Sequence, residues 1–105
     1  MITDEVLEKM KKMGIKLTES HFAVHYLKSS RSYLSNRRAM HRDVSNDVLL
    51  NLYSELSSLG STWQEMAISE RNEQSRSAWQ MRADRCAELA SDVASKLLER
   101  ARSQA

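Results

Sequence analysis

The sequence predicts an all-α protein, and three features of its composition lead to that prediction. Its 105 residues contain no proline and only two glycines, Gly14 and Gly60, so few positions interrupt a helix. Leu, Ala, Met, Glu, Lys and Arg, the residues that favour helices, are abundant. With 41% apolar and 29% charged residues, the chain is expected to fold rather than to stay disordered.

The first two predicted helices are marked by capping residues. Thr3 can accept a hydrogen bond at the start of the first helix, and Gly14 can end that helix in the left-handed conformation. Thr18 repeats the starting signal, and the second helix is expected to reach about residue 27.

Two further helices follow before residue 60. Ser29 or Ser30 can cap a third helix over about residues 31–39, and Ser45 can cap a fourth helix that Gly60 closes. The four helices predict a compact head over residues 1–60.

Residues 61–105 are expected to form a C-terminal helical arm. Capping boxes begin at Ser61 and Thr62, and nothing forces a break before about Arg102. We favour one long helix, and the alternative is a helical hairpin that breaks within residues 75–77. The predicted fold is therefore a head of four to five helices followed by a long C-terminal helix or hairpin.

An apolar stripe runs along the arm at steps typical of one helix face. A lone amphipathic helix cannot bury its own stripe, so it needs either the head or a partner chain. We predict homodimerisation through this stripe, and the alternative is that it folds back onto the head as core. The predicted dimerisation residues are Trp79, Cys86, Leu89, Val93 and Leu97.

The segment from Lys28 to Arg42 is the candidate functional region, and we call it the basic segment. It holds six basic side chains and no acid. Residues 1–43 carry nine Lys/Arg against five Asp/Glu, whereas residues 44–105 carry seven against nine. This asymmetry favours a surface that faces a polyanion such as nucleic acid. A solvated basic face without a ligand is the alternative.

The segment LTESHFAVHYLKSSRSYLSNRRAMHRDVSNDVLLNLYSEL resembles the lambda-repressor-like (Cro/C1-type, XRE-like) helix-turn-helix domain, with the resemblance covering residues 3–59. Thr18 matches the capping threonine of that family, and Phe22-Ala23 matches its closely packed pair. The stretch Phe22–Tyr33 is similar to a small group of bacterial helix-turn-helix proteins with the pattern F-S-x-x-x-L-G-x-S-x-S-Y. Glu19 departs from the phosphate-contacting Gln of many repressors, and Lys28 replaces the turn glycine.

The resemblance implies a dimeric bacterial or phage transcriptional regulator that binds double-stranded DNA in a sequence-specific manner. Residues expected near base edges are Ser30, Arg31, Ser32, Ser35 and Asn36. Residues expected on phosphates are Lys28, Arg37, Arg38 and Arg42. Tyr33 could anchor the helix, donate to a phosphate or contact a thymine methyl group.

Other functions are disfavoured by the sequence. No catalytic arrangement or cofactor motif is present, so we expect neither an enzyme nor a bound cofactor. His21 and His25 lie four residues apart but have no supporting ligand, so no metal is expected. The single cysteine suits the cytoplasm, and no apolar run is long enough to span a membrane. The rival hypothesis is a protein-binding adaptor or inhibitor from a mobile element, which grips its partner through the C-terminal arm.

Overall fold

The computed structural model describes residues 1–104, which form five α-helices and no strand. The helices are α1 (Ile2–Lys12), α2 (Glu19–His25), α3 (Tyr33–Ala39), α4 (Asn46–Ser69) and α5 (Glu73–Ser103). The predicted all-α fold and its long C-terminal helix are confirmed. None of the helices within residues 1–104 has both the length and the apolar character needed to cross a membrane.

Several predicted helix ends are confirmed because local chemistry determines them. The Thr18 hydroxyl accepts a hydrogen bond from the His21 backbone N–H, and Ser45 accepts one from Val48. Gly14 follows α1 with φ +88°, as a left-handed helix end requires. The predicted cap at Thr3 is wrong, because α1 already begins at Ile2 and Thr3 lies buried inside it.

The third helix begins later than predicted. Neither Ser29 nor Ser30 caps α3, which starts at Tyr33. The backbone N–H of Ser29 instead bonds to the carbonyl of Ala23, so this residue closes the end of α2. The backbone between the two helices is therefore a tight irregular connection rather than an extra helical turn.

The predicted helix end at Gly60 is wrong, since α4 continues through this residue to Ser69. A Cβ atom at Gly60 would lie 3.3 Å from the Cβ of Cys86, so glycine is present because α5 packs closely there. The predicted head–arm boundary consequently falls inside a helix.

The chain turns back at Glu70–Asn72, so the favoured single long helix is also wrong. The Asn72 side chain accepts a hydrogen bond from the Ser75 N–H and caps α5. Arg76 donates two hydrogen bonds to the Glu70 carbonyl, at 3.1 and 2.9 Å, which satisfies the end of α4. The break therefore precedes the predicted position within residues 75–77, and α4 and α5 form an antiparallel hairpin.

Helices α1, α2 and α3 cover one face of the α4–α5 hairpin. The largest fully buried side chains come from all five helices and the α2–α3 connection, and they form one core. Among them are Val6, Met10, Phe22, Leu27, Leu34, Leu49, Leu52, Leu56 and Val93. The first three helices therefore share one hydrophobic core with both α4 and α5.

Candidate nucleic-acid interface

The basic segment lies on the surface around α3, and only one of its side chains is fully buried. Leu34 is 0% exposed and fixes α3 to the core. Helix α5 does not cover the outward face of α3. The side chains predicted to approach base edges are all exposed, and they are Ser30, Arg31, Ser32, Ser35 and Asn36.

The basic segment has a left-handed residue near each end. Lys28 and His41 both have φ +53°, and no other non-glycine residue within 1–104 has a positive φ. At the far end, the Arg42 N–H bonds to the Arg37 carbonyl, which closes α3 around His41. A left-handed L-residue costs roughly 1–2 kcal/mol, a cost that glycine avoids. Each of these positions therefore carries a basic side chain where glycine would be less strained.

Tyr33 and Arg37 connect α3 to the beginning of α4. The Tyr33 hydroxyl accepts hydrogen bonds from Arg37 Nε at 3.2 Å and from the Ser45 N–H at 3.1 Å. The Arg37 guanidinium also lies 5.2 Å from the centre of the Tyr33 ring. Partial burial raises the pKa of Tyr33, but these hydrogen bonds and the Arg37 charge outweigh it and bring the pKa below its ordinary value. Tyr33 therefore holds α3 against the start of α4, and the Arg37 guanidinium is partly occupied by its contacts with Tyr33.

Two predicted phosphate-contacting residues are paired with acids. Arg38 forms ion pairs with Asp4 of α1 and Glu19 of α2, so it links the first three helices. Its hydrogen bonds to Glu19 and Asp4 raise the pKa of Arg38 above its ordinary range. Lys28 Nζ lies 3.2 Å from Glu55 Oε1 of α4. All of these side chains are partly exposed, so the pairs are weak and open to exchange with an incoming phosphate.

Arg31 and Arg42 are the two arginines of the basic segment whose side chains form neither an ion pair nor a hydrogen bond within residues 1–104, since Arg38 is paired with acids and Arg37 bonds to Tyr33. Both side chains are exposed. Arg31 shares a shallow groove of about 330 Å³ with His21 and His25 of α2. The sequence predicts these two histidines to be partly buried or surface residues rather than metal ligands, but it does not reveal their position beside Arg31. The feature of the sequence that could have indicated this position is the four-residue spacing of the histidines, which places both on the same exposed face of α2.

The histidine pair has no further metal ligand nearby. The ring centres of His21 and His25 are 4.1 Å apart. Within residues 1–104, no group of three or more His, Cys, Asp or Glu side chains is placed to hold a metal ion. The two imidazoles are therefore better described as part of the basic surface.

The residues predicted to form the dimer interface lie within the protein's own fold. Cys86 and Val93 are 0% exposed and Leu89 is 4% exposed, while Trp79 and Leu97 are half-buried. Burial raises the pKa of the Cys86 thiol to about 11. The stripe thus packs on the head, which was the alternative interpretation of the sequence. Dimerisation itself stays a prediction, but it requires a different surface.

An ion pair directly after the basic segment is expected to make the free energy of unfolding depend on pH. Asp43 Oδ2 lies 3.0 Å from Arg100, which also donates 2.8 Å hydrogen bonds to the Val44 carbonyl and Asn46 Oδ1. Partial burial raises the pKa of Asp43, but the Val44 N–H and the Arg100 charge outweigh it, so the pKa is lowered. A lowered carboxyl pKa stabilises the folded protein above the unfolded value of about 3.9, and this stabilisation is lost as pH falls through the folded value.

We therefore expect Asp43→Asn to unfold more easily in urea at pH 7, and to match the unaltered protein at a pH below the folded pKa of Asp43. The matched control is Glu65→Gln, which removes an exposed carboxyl that forms no ion pair within residues 1–104. A stability deficit of Asp43→Asn that persists unchanged in acid would contradict the assigned role.

Comparisons with known proteins place the chain in one family. Residues 3–105 match a family described as a family of unknown function (DUF6626). Searches of the curated proteins and of the solved structures gave no match. Since the matched residues span nearly the whole chain, the protein with this basic α3 surface belongs to family DUF6626.

Proposed function

We propose that this protein is a cytoplasmic, dimeric transcriptional regulator that binds double-stranded DNA through the basic segment. One observation carries the proposal. The outward face of α3 is exposed, and the unpaired guanidinium groups of Arg31 and Arg42 stand at the two ends of α3. A short helix with polar side chains between flanking cations suits a duplex groove bordered by phosphates.

In this proposal the side chains between Ser30 and Asn36, Arg31 among them, contact base edges. Asn36 Nδ2 lies 3.3 Å from Ser32 Oγ, and the Ser35 hydroxyl donates to the Ser32 carbonyl at 3.0 Å. These local bonds reduce the freedom of the polar side chains before any contact with DNA. Arg31, with its planar fork, would recognise guanine, and the Asn36 amide would pair with adenine.

The ends of the segment would contact the phosphates. Arg42 is free to do so, whereas Lys28 and Arg38 would exchange an acidic partner for a phosphate. The segment contains five Lys/Arg, and two of them, Lys28 and Arg38, contact the three acids Asp4, Glu19 and Glu55. The excess of positive charge is small, so we expect moderate and salt-sensitive affinity. The strained conformation of Lys28 supports a functional role, since strain tends to cluster at such sites.

The test is fluorescence anisotropy with duplex DNA over a range of salt concentrations. The double variant Arg31→Ala, Arg42→Ala should weaken binding by about tenfold or more, and the loss of the Arg42 phosphate contact should lower the slope of log affinity against log salt by about 1. We choose Arg42 rather than Arg37, because removal of Arg37 would also disturb Tyr33.

The matched control is Arg71→Ala, Arg102→Ala. It removes the same charge from exposed arginines that form no ion pair within residues 1–104. It should leave most of the affinity intact. The proposal fails if the unaltered protein shows no salt-dependent binding to its own promoter region or to random duplexes, or if both double variants weaken binding equally.

A protein-binding adaptor or inhibitor is the second candidate function, and a groove between α1 and α5 favours it. The groove measures about 500 Å³, and Met13, Met81 and Leu89 supply much of its apolar lining. Met81 is 63% exposed. Arg82 lines the same groove, and its guanidinium lies 5.7 and 5.2 Å from the ring centres of Trp63 and Trp79. Such a surface could receive an apolar side chain beside an acidic group.

The two candidate functions predict different results. A stoichiometric protein partner whose capture is abolished by Met81→Asp, together with a lack of DNA affinity, would select the adaptor. DNA affinity that survives Met81→Asp and falls in the Arg31, Arg42 variant would select the regulator.

A further inference from the structure

The two longest helices have an outward face that nothing in the described chain covers. This face, which we call the outer hairpin face, lies opposite α1, α2 and α3. On α4 it comprises Leu50, Tyr53, Ser57, Ser61, Gln64 and Ile68, at steps of three and four residues. On α5 it comprises Gln80, Asp84, Ala87, Ser91, Ala94 and Leu98, at the same steps. All twelve side chains are exposed or partly exposed.

The outer hairpin face is nearly free of charge. Charged residues make up 29% of the chain, so twelve surface positions would hold about three or more. Only Asp84 is charged. The exposed face of a solvated helix pair normally carries Lys, Arg and Glu, because charge keeps such surfaces apart. Its absence from one face of a charged protein indicates that this face meets another protein surface.

Large apolar side chains lie at both ends of the outer hairpin face: Leu50, Tyr53 and Leu98 form its apolar end, and Ile68, which is 74% exposed, lies at the other end. Leu50 is 53% exposed, Tyr53 is 41% exposed and Leu98 is 58% exposed. The hydrogen bond from Arg100 to Asn46 fixes the pairing of α4 with α5 at the apolar end, so Leu50 and Leu98 both lie towards this end of the hairpin. The hydrogen bonds between Gln64 and Gln80 fix the pairing towards the other end.

A recess lies in the middle of the outer hairpin face. It is a groove of about 530 Å³ between α4 and α5, lined mainly by small side chains such as Ser57, Ser61, Ala87 and Ser91. The same face therefore contains both a protrusion and a recess. A two-fold symmetric interface requires one patch to complement itself, and small side chains at its centre let two copies approach closely there.

We infer that the outer hairpin face binds the same face of a second copy of this chain, which forms an antiparallel four-helix bundle. A two-fold axis through the middle of the face and across the helices lays the apolar end of each copy on the Ile68 end of the other, and the two recesses meet at the centre. Identical copies meet without like-charge repulsion because the face is nearly neutral. Such pairing of two hairpins is a common arrangement of helical proteins.

The size of the face fits a reversible dimer. From Leu50 to Ile68 the α4 helix extends about 27 Å, and two adjacent helices are about 20 Å wide. The projected area is therefore about 500 Å², and side-chain relief makes the accessible area larger. A standard specific interface buries about 800 Å² on each partner. We expect a dimer that dissociates on dilution. This inference does not require DNA binding.

The test is the molar mass in solution, measured by light scattering and sedimentation without DNA. The unaltered protein should approach twice its chain mass of 12.1 kDa as its concentration rises. Leu98→Asp and Ala87→Arg should each hold the mass at that of one chain, while the far-ultraviolet circular dichroism stays unchanged. Both residues are exposed, so these substitutions leave the core intact.

Met40→Asp is the matched control, since Met40 is 55% exposed and lies off the outer hairpin face. It should leave the dimer unaffected. A single-chain mass at every concentration would overturn the inference. A dimer that resists both face variants, or one that Met40→Asp disrupts as strongly as Leu98→Asp, would also overturn it.

Discussion

Replacing Phe22 with alanine is expected to lower the free energy of unfolding by about 3–5 kcal/mol. Phe22 is 0% exposed and lies on α2, a helix of only seven residues. So short a helix is unstable alone and depends on tertiary packing. The Phe22 ring also stacks on Tyr26 with ring centres 5.6 Å apart. The truncation leaves a cavity that the surrounding helices cannot fill without moving α2.

The measurement is urea unfolding followed by far-ultraviolet circular dichroism. Val24→Ala is the control on the same helix, because Val24 is 37% exposed and outside the core. It should cost less than about 1 kcal/mol. Similar losses in the two variants would show that Phe22 does not hold α2 in place.

Replacing Gly60 with leucine is expected to cost about 3 kcal/mol, at the upper end for overpacking. A Cβ atom at this position already lies 3.3 Å from the Cβ of Cys86 and 3.7 Å from the Ala83 carbonyl oxygen. The remaining leucine atoms have no space unless α4 and α5 separate. Gly60→Ala should change the free energy of unfolding much less, because the higher helix propensity of alanine offsets the slight crowding of its Cβ against Cys86.

Ser58→Leu provides the control for the glycine substitution. Ser58 is exposed and only two residues away on α4. Thermal unfolding should show little change for this variant and a large fall in melting temperature for Gly60→Leu. Equal melting temperatures would mean that the helices do not approach closely at Gly60.

Features set by local chemistry could be predicted from the sequence. Thr18 and Ser45 each cap a helix with their own side chain, and Gly14 ends one, because each acts on residues a few positions away. Gly60 misled the prediction because it was interpreted as a local helix end as well, whereas its role depends on a distant contact. A glycine that ends a helix and one that admits a neighbouring helix look alike in sequence, and the contact with Cys86 is 26 residues away.

The candidate site was predictable in part. The exposure of Arg31, Ser32 and Asn36 agrees with a polar segment anchored by Leu34. The acids that engage Arg38 could not be foreseen, since Asp4 is 34 residues away and meets it only in the folded chain. Likewise, periodicity revealed the apolar stripe of α5 but not which surface would cover it.

The position of the two tryptophans determines what fluorescence can report. Trp63 and Trp79 are the only tryptophans, and both lie against Arg82 near the turn of the hairpin. Indole emission therefore follows the far end of α4 and α5, whereas two of the three tyrosines lie close to α3: Tyr33 is its first residue and Tyr26 follows α2. Indole emission would thus report fraying at the hairpin tip separately from local opening near α3.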